Sequence, residues 1–209
     1  SIDTKHMDEA PLRKQFNLEN QFIVIYSCNV GLFHSFDAIQ KTMLTLRDDP
    51  KIRFVFVGSG KRLNELSQFV REHQLGNFLH LSYFPREQLS DSLAMGHVHL
   101  VTLRAGMAGV ALPCKTYGIM AAGRPIIYVG PTGSDTAHHV NQSQCGWVIE
   151  EQDDAELTRV IRMLAKDGTM AERTGRAGHR WYEQHAARHI GCKQWQQLLE
   201  QVGKQGTDS

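Results

Sequence analysis

The stretch that decides the fold is "LVTLRAGMAGVALPCKTYGIMAAGRPIIYVG", residues 100–130. Its two ends, LVTL and PIIYVG, are uncharged runs rich in β-branched residues, the pattern of strands buried on both faces. Between them lies a glycine-rich loop, then Pro113 where a helix would start and Gly123 where it would end. A strand, a helix and a second buried strand in this order form a parallel crossover unit. The unit carries one oddity. Lys115 falls in the first turn of its helix, facing the positive end of the helix dipole, where an acid is normally preferred. From Ser92 to Ser134 there is no Asp or Glu, while Arg104, Lys115 and Arg124 all fall inside. The whole chain is balanced, with 23 basic and 22 acidic residues, so the acid deficit is local. Either Lys115 snorkels to solvent, or an anion from outside the chain belongs beside it.

Outward from this unit the same pattern repeats. Strands are expected at 22–27, 53–58, 78–84, 98–103, 125–130 and 145–150, with helices at 35–47, 61–74, 86–95, 114–122 and 134–142. Strands alternating with helices of this length give an α/β fold: a doubly wound parallel sheet of about six strands. Residues 154–202 read as a helical C-terminal tail, broken near KDGTM and again around Gly191. Leu157, Val160, Ile161 and Leu164 set its first apolar face, and Trp181, Tyr182, Trp195, Leu198 and Leu199 continue it as core or interface packing. Residues 1–20 are polar and without sustained period, and read as a linker or interdomain segment. The expected organisation is therefore 1–20 linker, 21–152 Rossmann-like domain and 153–209 helices packed on it.

Composition limits the function classes. A chain of 209 residues with 41% hydrophobic and 22% charged residues is an ordinary globular chain with a real core. A net charge of +1 argues against a dedicated nucleic-acid binder. No run approaches the roughly eighteen apolar residues of a membrane-spanning helix, and no signal peptide is visible. The four cysteines, Cys28, Cys114, Cys145 and Cys192, fit neither a zinc knuckle nor a disulfide framework. They read as reduced thiols, and the chain as cytoplasmic. His97 and His99 alternate along a strand, and His138 and His139 have no partner at ligand spacing, so no metal site is expected.

Doubly wound sheets bind ligands beyond the carboxyl ends of their strands, which directs attention to five loops, the last of them VGPTGSDT after the fifth strand. The loop from Arg104 to Lys115 is the most informative, because Gly106 and Gly109 allow close backbone approach to a ligand. Exposed amides of a helix start together with Lys115 suit a phosphate or diphosphate. The loop SCNVGLFHS, residues 27–35, offers Asn29, Gly31 and His34, with His34 either a donor near phosphate or a satisfied surface histidine. In VGSGKRL the spacing lacks a third glycine and is no P-loop, so Gly58 and Gly60 read first as a tight turn at the pocket edge. SYFPREQL puts Tyr83 and Phe84 at a strand end, where an aromatic either covers a nucleobase or caps the next helix.

These loops, in this order, resemble the carboxyl-terminal half of a GT-B glycosyltransferase of family four. They are most similar to the bacterial transferases of N-acetyl-fucosamine type that build capsule and O-antigen sugars. The motifs that carry the likeness are YSCNVGLFH, PCKTYGIMAAGRP, VGSGKRLNEL, YFPREQLSDSLAMGHVHLVTL and QCGWVIEEQDDAEL, spread over residues 20–170. The resemblance implies a donor-binding domain. Asn29, Gly31, His34, Lys115, Gly106 and Gly109 then line the diphosphate of a nucleotide-sugar, with Tyr83, Phe84, Gly58, Thr116 and Gly118 at the base and ribose. It further implies a metal-independent, retaining transfer with no cofactor, a UDP-sugar in preference to a GDP-sugar, and a saccharide or lipid-linked acceptor held by an amino-terminal domain absent from this chain. Any peripheral contact with the inner face of a membrane would fall to that absent half.

The chain departs from the broader family at two places. The acidic pair spaced eight residues apart is replaced by Val110 and Gly118, which puts the ribose contact in doubt and leaves no catalytic residue assigned. A non-catalytic nucleotide-binding or regulatory module that has lost the acidic pair is therefore the alternative.

Overall fold

The computed structural model describes residues 10–28, 34–107, 109 and 115–205. Six parallel strands form one sheet: β1 Phe22–Ser27, β2 Ile52–Val57, β3 Phe78–Leu81, β4 Val98–Thr102, β5 Ile126–Val129 and β6 Gly146–Ile149. Their spatial order is β3-β2-β1-β4-β5-β6, so the direction of winding reverses between β1 and β4. The helices are α1 Pro11–Gln15, α2 Asp37–Thr45, α3 Lys61–Glu72, α4 Leu89–Met95, α5 Lys115–Ala121, α6 Asp135–Ser143, α7 Asp154–Lys166, α8 Gly168–His185 and α9 Arg188–Gln205. The expected doubly wound α/β architecture is the observed one.

The strand pattern explains the layers. Along β1, Phe22, Val24 and Tyr26 point into one core with Ile39 and Met43 of α2, Leu66 of α3 and Leu157, Val160, Ile161 and Leu164 of α7. Ile23 and Ile25 point to the opposite face, against Leu12 and Met95. On that face, Val101 and Tyr128 meet Ile119 and Met120 of α5 and Val140 of α6. Central strands buried on both faces need apolar residues at every position, which is why β1 shows no alternation. Each fully buried Ile or Val contributes about 1.5–3 kcal/mol through removal from water. Among the described residues three helix starts are capped: Ser134 accepts from Ala137 N–H, Asp153 from Glu156 N–H and Asp167 from Met170 N–H.

Four sequence expectations are corrected. Residues 10–20 are not a free connection: α1 packs on α4, Leu12 and Leu18 are buried, and Arg13 donates to the carbonyl oxygens of Met95 and Ala94 at 2.8 and 3.1 Å. The third strand ends at Leu81, because Pro85 follows closely and β3 is an edge strand. The second break in the tail falls at Ala186–Ala187, where Ala187 is buried, whereas Gly191 lies inside α9 and donates to the Ala187 carbonyl. Trp181 and Tyr182 pack against the core as expected, but Trp195, Leu198 and Leu199 are exposed on α9. Near KDGTM the break falls as read: Asp167 closes α7 through its backbone N–H, paired to the Met163 carbonyl, and its side chain caps α8.

Candidate functional site

The reversal between β1 and β4 separates the loops that follow them and opens a crevice at the strand ends. Lys115 stands at the start of α5 beside this crevice, half-buried, with its Nζ 4.1 Å from the centre of the Tyr26 ring. A cation over an aromatic face gains about 0.5–2 kcal/mol, so Tyr26 holds the ammonium in place instead of letting it extend to solvent. Tyr26 is itself fixed by stacking on Phe56 and by edge contacts with Phe36 and His34.

His34 enters from the other side. Its Nδ1 lies 2.9 Å from both the carbonyl oxygen and Oγ1 of Thr102, the last residue of β4. A carbonyl only accepts, so Nδ1 carries the proton in that contact. Cys28, the first residue beyond β1, has its thiol beside both His34 and Lys115. Burial raises the Cys28 pKa, but the His34 hydrogen bond and the Lys115 charge more than offset this and bring it down to about 7. Two residues of the first loop and the first residue of α5 thus meet as one cluster, in which the Cys28 thiol gives up its proton more readily than usual.

Gly58 closes β2 beside this cluster. A Cβ there would sit 2.5 Å from the Cys28 carbonyl oxygen and 3.0 Å from the Tyr83 ring. Tyr83 therefore lies directly over Gly58, and it is 53% exposed, so its ring also fronts solvent at the crevice. Phe84 goes elsewhere. It packs beneath α1 with its ring centre 6.1 Å from that of Phe16, which separates the aromatic pair read together from the sequence.

A cavity of about 240 Å³ opens between α4, α5 and the sheet, lined by Leu89, Leu93, His99, Lys115, Gly118 and Ile119 among others. His99 is buried and its pKa is pushed down to about 3, chiefly by desolvation, so it is neutral there, with Nε2 2.9 Å from the Leu93 carbonyl. Thr116 is buried beside this wall, and Gly118 opens directly onto the cavity. Gly106 and Gly109 are exposed in the loop after β4, with Gly109 at φ +80°. Asn29 and Gly31 lie outside the described residues, as does Val110.

The sequence reading missed three participants. Tyr26 and Thr102 were taken only as strand residues, yet they hold Lys115 and His34. Glu151, just beyond β6, accepts the Ala105 N–H at 2.8 Å and so anchors the glycine loop. No local signal marks such a contact, because its partners are 46 residues apart. Among the described residues no group of three or more His, Cys, Asp or Glu could hold a metal ion. No described helix is long and apolar enough to cross a membrane.

Comparison with known proteins places this geometry. A probable glycosyltransferase of Pseudomonas aeruginosa, WbjE, is 29% identical over 64% of this chain and 33% of its own length. The putative colanic acid biosynthesis glycosyl transferase WcaI of Escherichia coli K12 is 33% identical over 56% of this chain and 28% of its own. The chain therefore matches only about a third of the length of these curated relatives. Among solved structures, Anabaena HepE in complex with UDP-glucose superposes with a TM-score of 0.76 at 16% identity, covering 97% of this chain and 54% of that one. The family profile described as "Glycosyl transferases group 1" matches residues 8–181. On that match, which takes in every strand of the sheet and the whole crevice, the chain belongs to the group 1 glycosyl transferases.

Proposed function

We propose that this chain is the nucleotide-sugar-binding part of a glycosyltransferase that acts in surface polysaccharide biosynthesis. The observation that carries the reading is the Lys115 ammonium, held over Tyr26 beside the Cys28 thiol at the winding reversal, within a segment free of acids. The donor is a UDP-sugar, a reading supported by the UDP-glucose complex of a protein with the same fold. Its sugar is of the N-acetylated 6-deoxyhexose class. The acceptor is a saccharide or a lipid-linked saccharide, held by parts of the protein outside this chain. The site of action is the cytoplasmic face of a membrane.

The chemistry follows from charge. As the bond from sugar to diphosphate breaks, negative charge grows on the phosphate oxygens. Lys115 stabilises that charge most when it is fully developed, which lowers the barrier without a metal ion. His34 is held by Thr102 so that its ring faces the same oxygens, and Tyr83 covers the base. The transfer is retaining. The absence of carboxylates at Val110 and Gly118 favours one other reading, a module that binds the nucleotide without turnover.

Calorimetric titration with UDP and GDP tests the proposal. Saturable UDP binding is expected, weakened in Lys115→Ala by about 10- to 100-fold, the worth of one charge-assisted hydrogen bond of roughly 1.5–3 kcal/mol. Binding that ignores the substitution would refute the role of Lys115. UDP binding without sugar transfer in the full-length enzyme would favour the non-catalytic module.

A further inference from the structure

Cys28 takes no part in the transfer chemistry, yet the fold sets it among the groups that serve it. Its N–H extends the β1 ladder to the Val57 carbonyl at 3.1 Å, so its side chain falls on the face of β1 that carries Tyr26, two residues earlier. Both side chains belong to one packed cluster. On this face the Lys115 ammonium rests 4.1 Å from the centre of the Tyr26 ring, and the His34 ring centre is 5.9 Å from it. The Cys28 thiol lies beside both cationic neighbours and is only half-buried.

The other described cysteines are placed differently. Cys145 is buried, and loss of water pushes its thiol up to about 11, while Cys192 is exposed on α9. The thiolate is the reactive form of cysteine, and a neighbouring imidazole and ammonium favour it. His34 directs its Nδ1 proton to the Thr102 carbonyl, so Nε2 is the nitrogen with a lone pair for the thiol proton.

A second group points to an oxygen on that sulfur. The Tyr26 hydroxyl is fully buried next to the Cys28 thiol and the Thr102 side chain, and makes no hydrogen bond to any described residue. Burial, and then the nearby Cys28 thiol, raise its pKa, so it keeps its proton and is available as a donor. Sulfur is a weak acceptor. An oxygen bound to it would be a strong one, with a hydroxyl and an ammonium beside it.

We propose that Cys28 is a site of reversible oxidation by hydroperoxides, and that its oxidised form excludes the sugar nucleotide by presenting a sulfenate oxygen to Lys115. The proposal rests on the donor-site reading above. His34 accepts the thiol proton, and the thiolate attacks the distal peroxide oxygen. As the S–O bond forms the O–O bond breaks, and the departing oxygen takes up that proton. Sulfur loses two electrons, and the peroxide gains them and leaves as water or an alcohol. The sulfenic acid then loses its own proton beside the ammonium, and the sulfenate occupies the charge that Lys115 otherwise offers to a phosphate. Two equivalents of a thiol reverse the step, giving the Cys28 thiol, a disulfide and water.

The test treats the chain with hydrogen peroxide. One portion is trapped with dimedone, digested and read by mass spectrometry. In others UDP is titrated by calorimetry before treatment, after it, and after dithiothreitol. A dimedone adduct on the Cys28 peptide is expected, formed more slowly under saturating UDP. UDP affinity should fall by about 10- to 100-fold on oxidation, matching loss of the Lys115 contact, and return with dithiothreitol. In Cys28→Ser, or in Cys28→Ala where the serine variant is unstable, peroxide should leave that variant's own UDP affinity unchanged. Adducts at Cys114 or Cys192 with none at Cys28 would overturn this inference and leave the donor-site reading standing. So would a Cys28 adduct with UDP affinity unchanged, or an equal fall in the variant. A reduced chain that binds no UDP would overturn the donor-site reading and this inference with it.

Discussion

Replacing Gly58 by alanine tests the packing that builds the crevice. Gly58 has φ +133°, a conformation that side-chain-bearing residues rarely adopt. The added Cβ would meet the Cys28 carbonyl oxygen at 2.5 Å and the Tyr83 ring at 3.0 Å. The ring could swing away. The Cys28 carbonyl cannot do so easily, because it belongs to backbone whose N–H is paired to the Val57 carbonyl at 3.1 Å. Backbone strain of about 1–3 kcal/mol adds to an overpacking cost of about 1–3 kcal/mol. A loss of about 3 kcal/mol is expected, a fall in Tm of about 6–12 °C for a chain of this length. Urea unfolding of Gly58→Ala measures it. Gly76→Ala is the control, since nothing lies within 4 Å of a Cβ there, and its stability should stay within about 0.5 kcal/mol of the parent. Adding Tyr83→Ala to Gly58→Ala should recover little, because the backbone contact and the φ remain. A Gly58→Ala protein as stable as the parent, or one fully rescued by trimming Tyr83, would refute the reasoning.

Two further predictions concern titrating groups. With the Cys28 pKa near 7, alkylation of the Cys28 peptide by iodoacetamide, followed by mass spectrometry, should rise between pH 6 and 8. Lys115→Ala should move that rise to higher pH, and UDP should slow it; a rise centred near 9 in the parent would contradict the cluster. His97 and His99 are both pushed down to about 3, first by burial and then by nearby cations for His97. Below pH 6.5 the unfolded chain takes up protons that the folded one refuses, so this stability is present above 6.5 and is lost as pH falls towards 3. Urea stability should drop by about 2 kcal/mol per histidine between pH 7 and 5. A flat profile over that range would show that one or both histidines accept protons while folded.

The fold was legible because its signals are local and repeated. Most strands are uncharged apolar runs, Arg53 in β2 being an exception, and some helices begin at a readable cap, such as Ser134 before α6 or Asp167 before α8. The break expected at Gly191 failed because a glycine can continue a helix, and burial of Ala187 four residues earlier decided the corner instead. Leu12 and Leu18 were hidden in a polar stretch too short to show a period, so the docking of α1 was not visible. At the site, Lys115 announced itself through a local conflict with the helix dipole and an acid-free neighbourhood. Tyr26, Thr102 and Glu151 did not, since their roles arise only when the sheet brings distant strand ends together. Phe84 is the converse case. Two adjacent aromatics point to opposite sides of an extended chain, so one of the pair had to turn away from the crevice.

The central claim is that Lys115 and the residues around it bind the diphosphate of a nucleotide-sugar. A crystal structure of this chain soaked with UDP tests it most directly. The diphosphate should lie across the ends of β1 and β4 with a phosphate oxygen about 2.7–2.9 Å from Lys115 Nζ. UDP bound elsewhere on the chain, with the Lys115 ammonium still resting on Tyr26 and touching no phosphate, would contradict the account.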